Sequence, residues 1–325
     1  MKVLFHNESL NYRGVTNSTV DYAEFNEKIL GNESALAYNG NFTEKGLDIY
    51  SQDEVIRQLS KKYEVISYSS PEELNQISKR FDVVYAQKAG DKAPPFVDTT
   101  KFVVHAVFQY HQPHGDVYAY ISEWLAKEIK KNYKLKTQPP FVPYIVDMPT
   151  PDHRGGSYLR TRLGIPKNKF VYGRHGGFFT FDLPGVKKVI SKVVQENPNI
   201  VFLFANTQRF FEHPNIYYLD PFFGNQMKSN FIAACDAMIH GRRLGESFGN
   251  SIAEFLFFDK PVLAWEGGYD RNHANWLEPY GLLYSEKNLE KMMLDLPNRP
   301  KQDYKGIVAQ YSPEEVMKKF KEVYL

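Results

Sequence analysis

The chain has 325 residues with a formal net charge of +2, 42% hydrophobic and 24% charged residues, which is enough for about two ordinary globular domains. The near-neutral balance excludes a strong general field for nucleic acid, so no nucleic-acid partner is expected. The absence of any run near 20 apolar residues excludes a membrane-spanning helix by hydropathy.

The chain opens on Met1-Lys2-Val3-Leu4-Phe5, an apolar run too short for a secretory signal and better suited to a first strand. Strands are expected over residues 2–5, 63–68, 82–86, 102–108 and 118–121, and helices over 20–30, 51–61, 71–79 and 122–131. This alternation favours a parallel sheet covered by helices on both faces. Sequons begin at Asn7, Asn17, Asn32 and Asn41; with no secretion signal ahead of them they are read as coincidental.

Pro139, Pro140, Pro143, Pro149 and Pro151 break the pattern, and the interdomain linker is placed near 145–156. The alternation then resumes. Strands are expected over 170–173, 200–205, 216–219, 237–240 and 261–265, with helices over 183–197, 224–235, 250–257, 288–294 and 313–324. The expected architecture is α/β: two Rossmann-like domains facing across a cleft, with residues 1–148 as the first domain, 149–308 as the second, and a terminal segment 309–325.

The single cysteine, Cys235, lies in an apolar context and reads as a small core residue. One cysteine forms no internal disulfide, which fits a reducing, cytoplasmic setting. The basic runs 127–136 and 318–321 are interrupted by Glu128 and by nearby acids; they read as solvated helix faces and are compatible with at most a peripheral membrane contact.

The most informative segment is Ile239-His-Gly-Arg-Arg-Leu-Gly-Glu-Ser-Phe-Gly-Asn-Ser-Ile-Ala-Glu254. Glu246 and Glu254, with seven residues between them, follow an expected strand and enter an expected helix. An ionised carboxylate only accepts hydrogen bonds, so it suits the donating hydroxyls of a sugar or ribose. Gly245, Ser247, Phe248, Gly249 and Asn250 form the turn into the helix, whose free N–H groups and positive dipole end suit phosphate.

This segment, with Phe255-Leu-Phe-Phe-Asp-Lys-Pro-Val262 after it, resembles the donor-site signature of GT-B glycosyltransferases close to glycosyltransferase family 4. The resemblance covers most of the chain. It implies that Glu246 contacts the donor sugar and Glu254 the nucleotide ribose. Leu159-Arg-Thr-Arg-Leu-Gly-Ile-Pro and Val171-Tyr-Gly-Arg-His-Gly-Gly resemble the entry into that family's second domain, which implies Arg174 as a ligand of the donor diphosphate, with His175 and Gly176 beside it. Where the family carries Lys-Gly, this chain has Pro184-Gly185, so the second cation is open between Arg243, Lys187 and His175. The resemblance also implies a site role for His105, beside the donor sugar, and for Gly14, near the donor phosphates and acceptor. Glu246, His105 and Arg174 are thus the expected catalytic group. The loop Glu266-Gly-Gly-Tyr-Asp270 is a candidate border of the nucleotide pocket.

His111 and His114 flank Gln112-Pro113 without a convincing ligand spacing, and no Asp-x-Asp motif occurs, so no metal and no cofactor beyond a UDP- or GDP-type donor is expected. The implied activity is retaining transfer of a hexose or pentose from a nucleotide sugar to a glycan or a lipid- or protein-linked acceptor. The implied terminal helix packs back on the first domain. A non-catalytic sugar-nucleotide-binding subunit, or a sugar-nucleotide epimerase on the same fold, remains open at this level.

Overall fold

A computed structural model describes residues 1–41 and 50–325. The Asn41 sequon runs into residues 42–49, outside the described residues. The chain divides into two compact units: unit 1 holds 1–145 and 311–325, and unit 2 holds 146–310.

Unit 1 contains strands β1 (Lys2–His6), β2 (Glu33–Asn39), β3 (Glu64–Tyr68), β4 (Val83–Lys88), β5 (Lys101–Ala106) and β6 (Val117–Tyr120), joined by helices α1 (Gly14–Lys28), α2 (Asp53–Leu59), α3 (Pro71–Ser78) and α4 (Glu123–Asn132). The strands form one parallel sheet in the order β3-β2-β1-β4-β5-β6. Val3, Leu4, Phe5, Val84 and Tyr85 are wholly buried, as a strand covered on both faces requires.

Two elements differ from the sequence expectation. Strand β2, built on Ser34-Ala35-Leu36-Ala37, lacks the β-branched residues that mark a strand, yet pairs with β1 and β3 on its two sides. Helix α1 begins six residues before the expected start, through Thr16, Asn17, Ser18 and Thr19. All four polar side chains are buried; Thr16 bonds to the preceding loop at Ser9 O (3.3 Å), while Asn17 Nδ2 donates back to Arg13 O (3.0 Å) and the hydroxyls of Ser18 and Thr19 to Val15 O (3.0 and 2.9 Å).

Unit 2 contains α5 (Ser157–Arg162), β7 (Phe170–Arg174), α6 (Pro184–Glu196), β8 (Ile200–Ala205), β9 (Ile216–Leu219), α7 (Asn225–Ala233), β10 (Ala237–Ile239), β11 (Gly245–Glu246), α8 (Asn250–Phe257), β12 (Val262–Trp265), β13 (Asp270–Arg271), α9 (Asn272–Leu277), β14 (Leu283–Tyr284), α10 (Leu289–Asp295) and α11 (Lys305–Val308). Its main sheet is also parallel, in the order β14-β12-β10-β7-β8-β9. The strand order reverses between β7 and β10, and the loops leaving their carboxyl ends diverge there, which is where such sheets bind ligands. Cys235 is wholly buried against Phe231 O, and burial pushes its thiol up.

The last helix, α12 (Pro313–Tyr324), belongs to unit 1. Ser312 caps it by accepting from Glu315 N–H, and Pro313 occupies its first turn. Phe320 is fully buried, with ring centroids 5.1 Å from Tyr22 and 5.4 Å from Tyr85. Phe320→Ala should therefore destabilise unit 1 by about 3–5 kcal/mol. A lowered urea midpoint checks this; an unchanged midpoint would place α12 outside the cooperative core.

Candidate functional site

Arg174 ends β7 at the point where the sheet order reverses, and His240 follows β10 on the adjacent strand. The guanidinium of Arg174 is buried. Nη1 donates to Asn206 O (2.9 Å) and Thr207 Oγ1 (2.6 Å), and Nη2 to Gly177 O (2.8 Å) and Thr180 Oγ1 (2.7 Å). These four oxygens fix the fork from two loops, and Gly176 O, accepting from Asn206 Nδ2 at 2.8 Å, ties the loops together.

Glu246 lies on β11, a two-residue strand paired in parallel with β13. The pairing depends on glycine: Gly245 has φ +78°, and any side chain there would collide with Asp270 O. The loop through Gly267, Gly268 and Tyr269 closes this contact, with Asp270 N–H donating to Leu244 O at 2.9 Å. Glu246 Oε2 accepts from Arg242 Nη1 at 2.9 Å, and Oε1 from His240 Nε2 at 3.2 Å. Burial pushes the carboxyl up, but Arg242 and then His240 outweigh it and hold it at about 2. His273 packs on His240 with ring centroids 5.3 Å apart; burial lowers its pKa to about 4.

From Glu246 the chain turns through Ser247 and Phe248, both buried, into α8. Phe248 meets Trp276 edge-on at 5.4 Å, and its carbonyl accepts from Asn272 Nδ2 at 2.8 Å. Gly249 caps α8 with φ +102° and no side-chain cap, so the first-turn amides are left to an external acceptor. Asn250 follows, with its buried Oδ1 also lacking a partner.

Glu254 lies one turn into α8 and is 7% exposed. Its Oε1 accepts from Lys228 Nζ at 2.6 Å, and His175 Nε2 lies 3.1 Å from Oε2. Burial again raises the carboxyl, and Lys228 and then His175 bring it down to about 2. Lys228, on α7, escapes the sequence reading because Gln226-Met-Lys-Ser-Asn-Phe-Ile232 looks like an ordinary helix with a solvated lysine; in the structure that lysine is 6% exposed. Arg242 and His240 were within the motif, but nothing in the spacing singles them out as the partners of Glu246.

The structure thus brings Arg174, His175, Gly176, Glu246, Ser247, Phe248, Gly249, Asn250 and Glu254 onto the β7, β10 and α8 edge of unit 2. Of the three open cations, His175 sits beside Glu254, Lys187 Nζ lies 5.7 Å over the Phe210 ring, and Arg243 is an exposed residue whose backbone N–H donates to Asp182 Oδ1. Gly14 opens α1 in unit 1 and is exposed. His105, the third member of the expected catalytic group, lies on β5 in unit 1. It is wholly buried in the aromatic core of unit 1, with Nδ1 2.6 Å from Tyr85 OH and Nε2 2.9 Å from Val142 O. Both ring nitrogens are occupied, and burial lowers its pKa to about 3. No groups of three or more metal-ligating side chains occur among the described residues.

No family model and no curated protein matches this chain. Solved structures do. A glycosyltransferase from Rickettsia africae ESF-5 is 15% identical with TM-score 0.71, over 99% of this chain and 97% of that one. Anabaena Alr3699/HepE, in complex with UDP and glucose, is 14% identical with TM-score 0.72, over 99% and 98%. S. aureus TarM, in complex with fondaparinux, alpha-GlcNAc-glycerol and UDP, is 9% identical with TM-score 0.68, over 100% and 99%. The two parallel-sheet, Rossmann-like units and these likenesses define a GT-B fold.

Glu254→Gln leaves the buried Lys228 ammonium without its counter-charge and should cost about 3–5 kcal/mol at pH 7. The carboxyl of Glu254 is depressed from 4.5 to about 2, so its contribution is complete above about pH 4.5 and lost as pH falls toward 2. The gap between wild type and Glu254→Gln should therefore close over that window in urea unfolding. A gap independent of pH would exclude charge pairing as its source.

Proposed function

We propose that the protein is a glycosyltransferase that moves a sugar from a nucleoside diphosphate sugar to a hydroxyl acceptor. The observation that carries this reading is the clustering of two ionised carboxylates, Glu254 buried and Glu246 mostly so, an arginine fork and an uncapped helix N-terminus at the switch point of one parallel sheet. These are the groups that a sugar, a ribose and a diphosphate require: acceptors for hydroxyls, and cations with N–H donors for phosphate. Fold-level likeness to a structure named as a glycosyltransferase, and to two structures holding UDP, supports the same reading and favours a uridine donor over a guanosine one.

In this reading Glu246 accepts from donor-sugar hydroxyls, aimed by Arg242 and His240. Glu254 accepts from the ribose. Arg174 and the amides of Asn250 and Ser251 hold the diphosphate, with Gly176, Ser247, Phe248 and Gly249 shaping the backbone around it. During transfer the bond from the anomeric carbon to the phosphate oxygen breaks, and a bond to the acceptor oxygen forms. The leaving diphosphate gains the bonding pair, and its developing charge meets Arg174 and the α8 dipole. The acceptor proton passes to the departing phosphate oxygen, so no protein nucleophile is required. This front-face course gives retention.

The donor-site motif supports membership of glycosyltransferase family 4. A glycan, or a lipid- or protein-linked sugar, is the proposed acceptor class, and Gly14 at the start of α1 remains its candidate contact. Arg174 and the helix end can meet the diphosphate charge without a divalent ion, which supports a metal-independent reaction. No helix among the described residues is long and apolar enough to cross a membrane. The lone free cysteine fits the reducing cytoplasm as the site of action.

Incubation with UDP-, GDP- and ADP-sugars and an acceptor panel tests the reading through nucleotide release. Glu246→Ala should lower kcat at least about 100-fold, the scale of losing one aligned polar group in a transition state. Full activity of that variant would remove Glu246 from the mechanism.

A further inference from the structure

We infer that His175 and Glu254 jointly read one ribose hydroxyl of the nucleotide, and that Lys228 is the positioning residue that leaves Glu254 only one oxygen to do so. This rests on the nucleotide-sugar reading and sharpens it at a single subsite.

The two oxygens of Glu254 are not equivalent. Oε1 is committed to Lys228 at 2.6 Å, and that ammonium is steadied in turn by Asn225 Oδ1 at 3.2 Å. Oε2 is buried and has no hydrogen-bond partner. His175 Nε2, 3.1 Å away, is also buried and also unpartnered, because the two groups are close but not aligned for a hydrogen bond. Two unsatisfied polar atoms side by side in a buried place are costly, and few persist in a folded protein without a ligand or water to meet them.

The occupant that satisfies both is chemically defined. A hydroxyl donates its proton to Oε2 and accepts from Nε2–H through its oxygen. A phosphate oxygen would accept from His175 but would be repelled by the carboxylate. A methylene, as in a deoxyribose, satisfies neither. The imidazole is held for this purpose: it stacks on Phe255 (5.9 Å, 19°) and meets Phe231 edge-on (5.8 Å, 86°). The backbone places it directly after Arg174, so one loop presents a phosphate-binding fork and a ribose-reading ring in succession.

The consequence is discrimination between ribo- and deoxyribonucleotides. Titration calorimetry on the full chain, with UDP, GDP and ADP and then the 2′-deoxy and 3′-deoxy forms of the one that binds, measures it. Wild type should prefer the ribo form over one of the deoxy forms by about 10- to 100-fold, the scale of a hydrogen bond to a charged group. His175→Phe keeps the ring stack and removes the nitrogen; it should bring that ratio to within about threefold of unity, mainly by weakening the ribo form. Should that variant fail to fold by thermal unfolding, His175→Ala is read by the same criterion. Lys228→Met should also erode the ratio, and Lys228→Arg should restore most of it, which a purely structural role would not produce. Full preference in the folded His175 variant, or equal binding of ribo and deoxy forms by wild type, overturns the inference while leaving nucleotide binding intact. Failure of wild type to bind any of the three nucleotides overturns the nucleotide-sugar reading itself, and this subsite with it.

Discussion

The edge of unit 2 depends on burying carboxylates as anions. Glu246 and Glu254 both lie where desolvation favours the neutral acid, and both are nevertheless held ionised by neighbours built into the same fold: the Arg242 guanidinium and the His240 ring for one, the Lys228 ammonium and the His175 ring for the other. Desolvation costs several kcal/mol per charge, so such groups persist only with close partners of opposite charge. The surrounding elements follow from that demand. Helix α7 must bring Lys228 to α8, the β7 loop must bring His175, and the β10 loop must fold Arg242 back on Glu246. The short β11–β13 pair fixes Glu246 itself, and only glycine at 245 lets those strands approach.

The same segment separates negative from positive elements over a few residues. Gly249, in a left-handed conformation, ends the turn after Glu246 and begins α8 with its first amides uncapped. A residue with a capping side chain would satisfy one of those amides internally. Arg174 approaches from β7, its orientation set by two carbonyls and two hydroxyls. The edge therefore offers acceptors and donors in distinct places, suited to a ligand that is itself divided into hydroxyl-rich and anionic parts.

Much of this was legible in the sequence where local pattern and tertiary role agree. Apolar runs at 200–205 and 216–219, and the helix at 250–257, coincide with the observed elements. So did the order strand, Gly-Glu turn, helix. Where they diverge, the sequence misled. Strand β2 is alanine-rich and is a strand only because β1 and β3 flank it. The first turns of α1 are polar and buried, a combination that periodicity reads as loop. Lys228 has no signature, because its importance lies in a partner 26 residues away. His105, which the family resemblance places beside the donor sugar, has both ring nitrogens met inside the unit 1 core by Tyr85 and Val142, contacts that no local pattern announces. A side chain's neighbours across the fold decide its chemistry, and a single sequence does not supply them.

The charge state of the two carboxylates also bears on what kind of sugar chemistry the edge can support. A pair of acidic residues beside a sugar suggests hydrolysis by an acid and a nucleophile or base. That mechanism needs one carboxyl kept protonated near neutral pH, through a pKa pushed upward by its surroundings. Here both are driven the other way, to about 2, chiefly by the Lys228 and Arg242 cations at 2.6 and 2.9 Å. Neither carries a proton to give to a leaving group at pH 7. What remains to them is to accept hydrogen bonds and so orient a ligand. A leaving group in such a site must be good enough to depart without an acid, stabilised instead by fixed positive charge and backbone dipoles. A diphosphate meets that requirement and an unactivated sugar alcohol does not, so the electrostatics of the edge favour transfer from an activated donor over hydrolysis of a glycosidic bond.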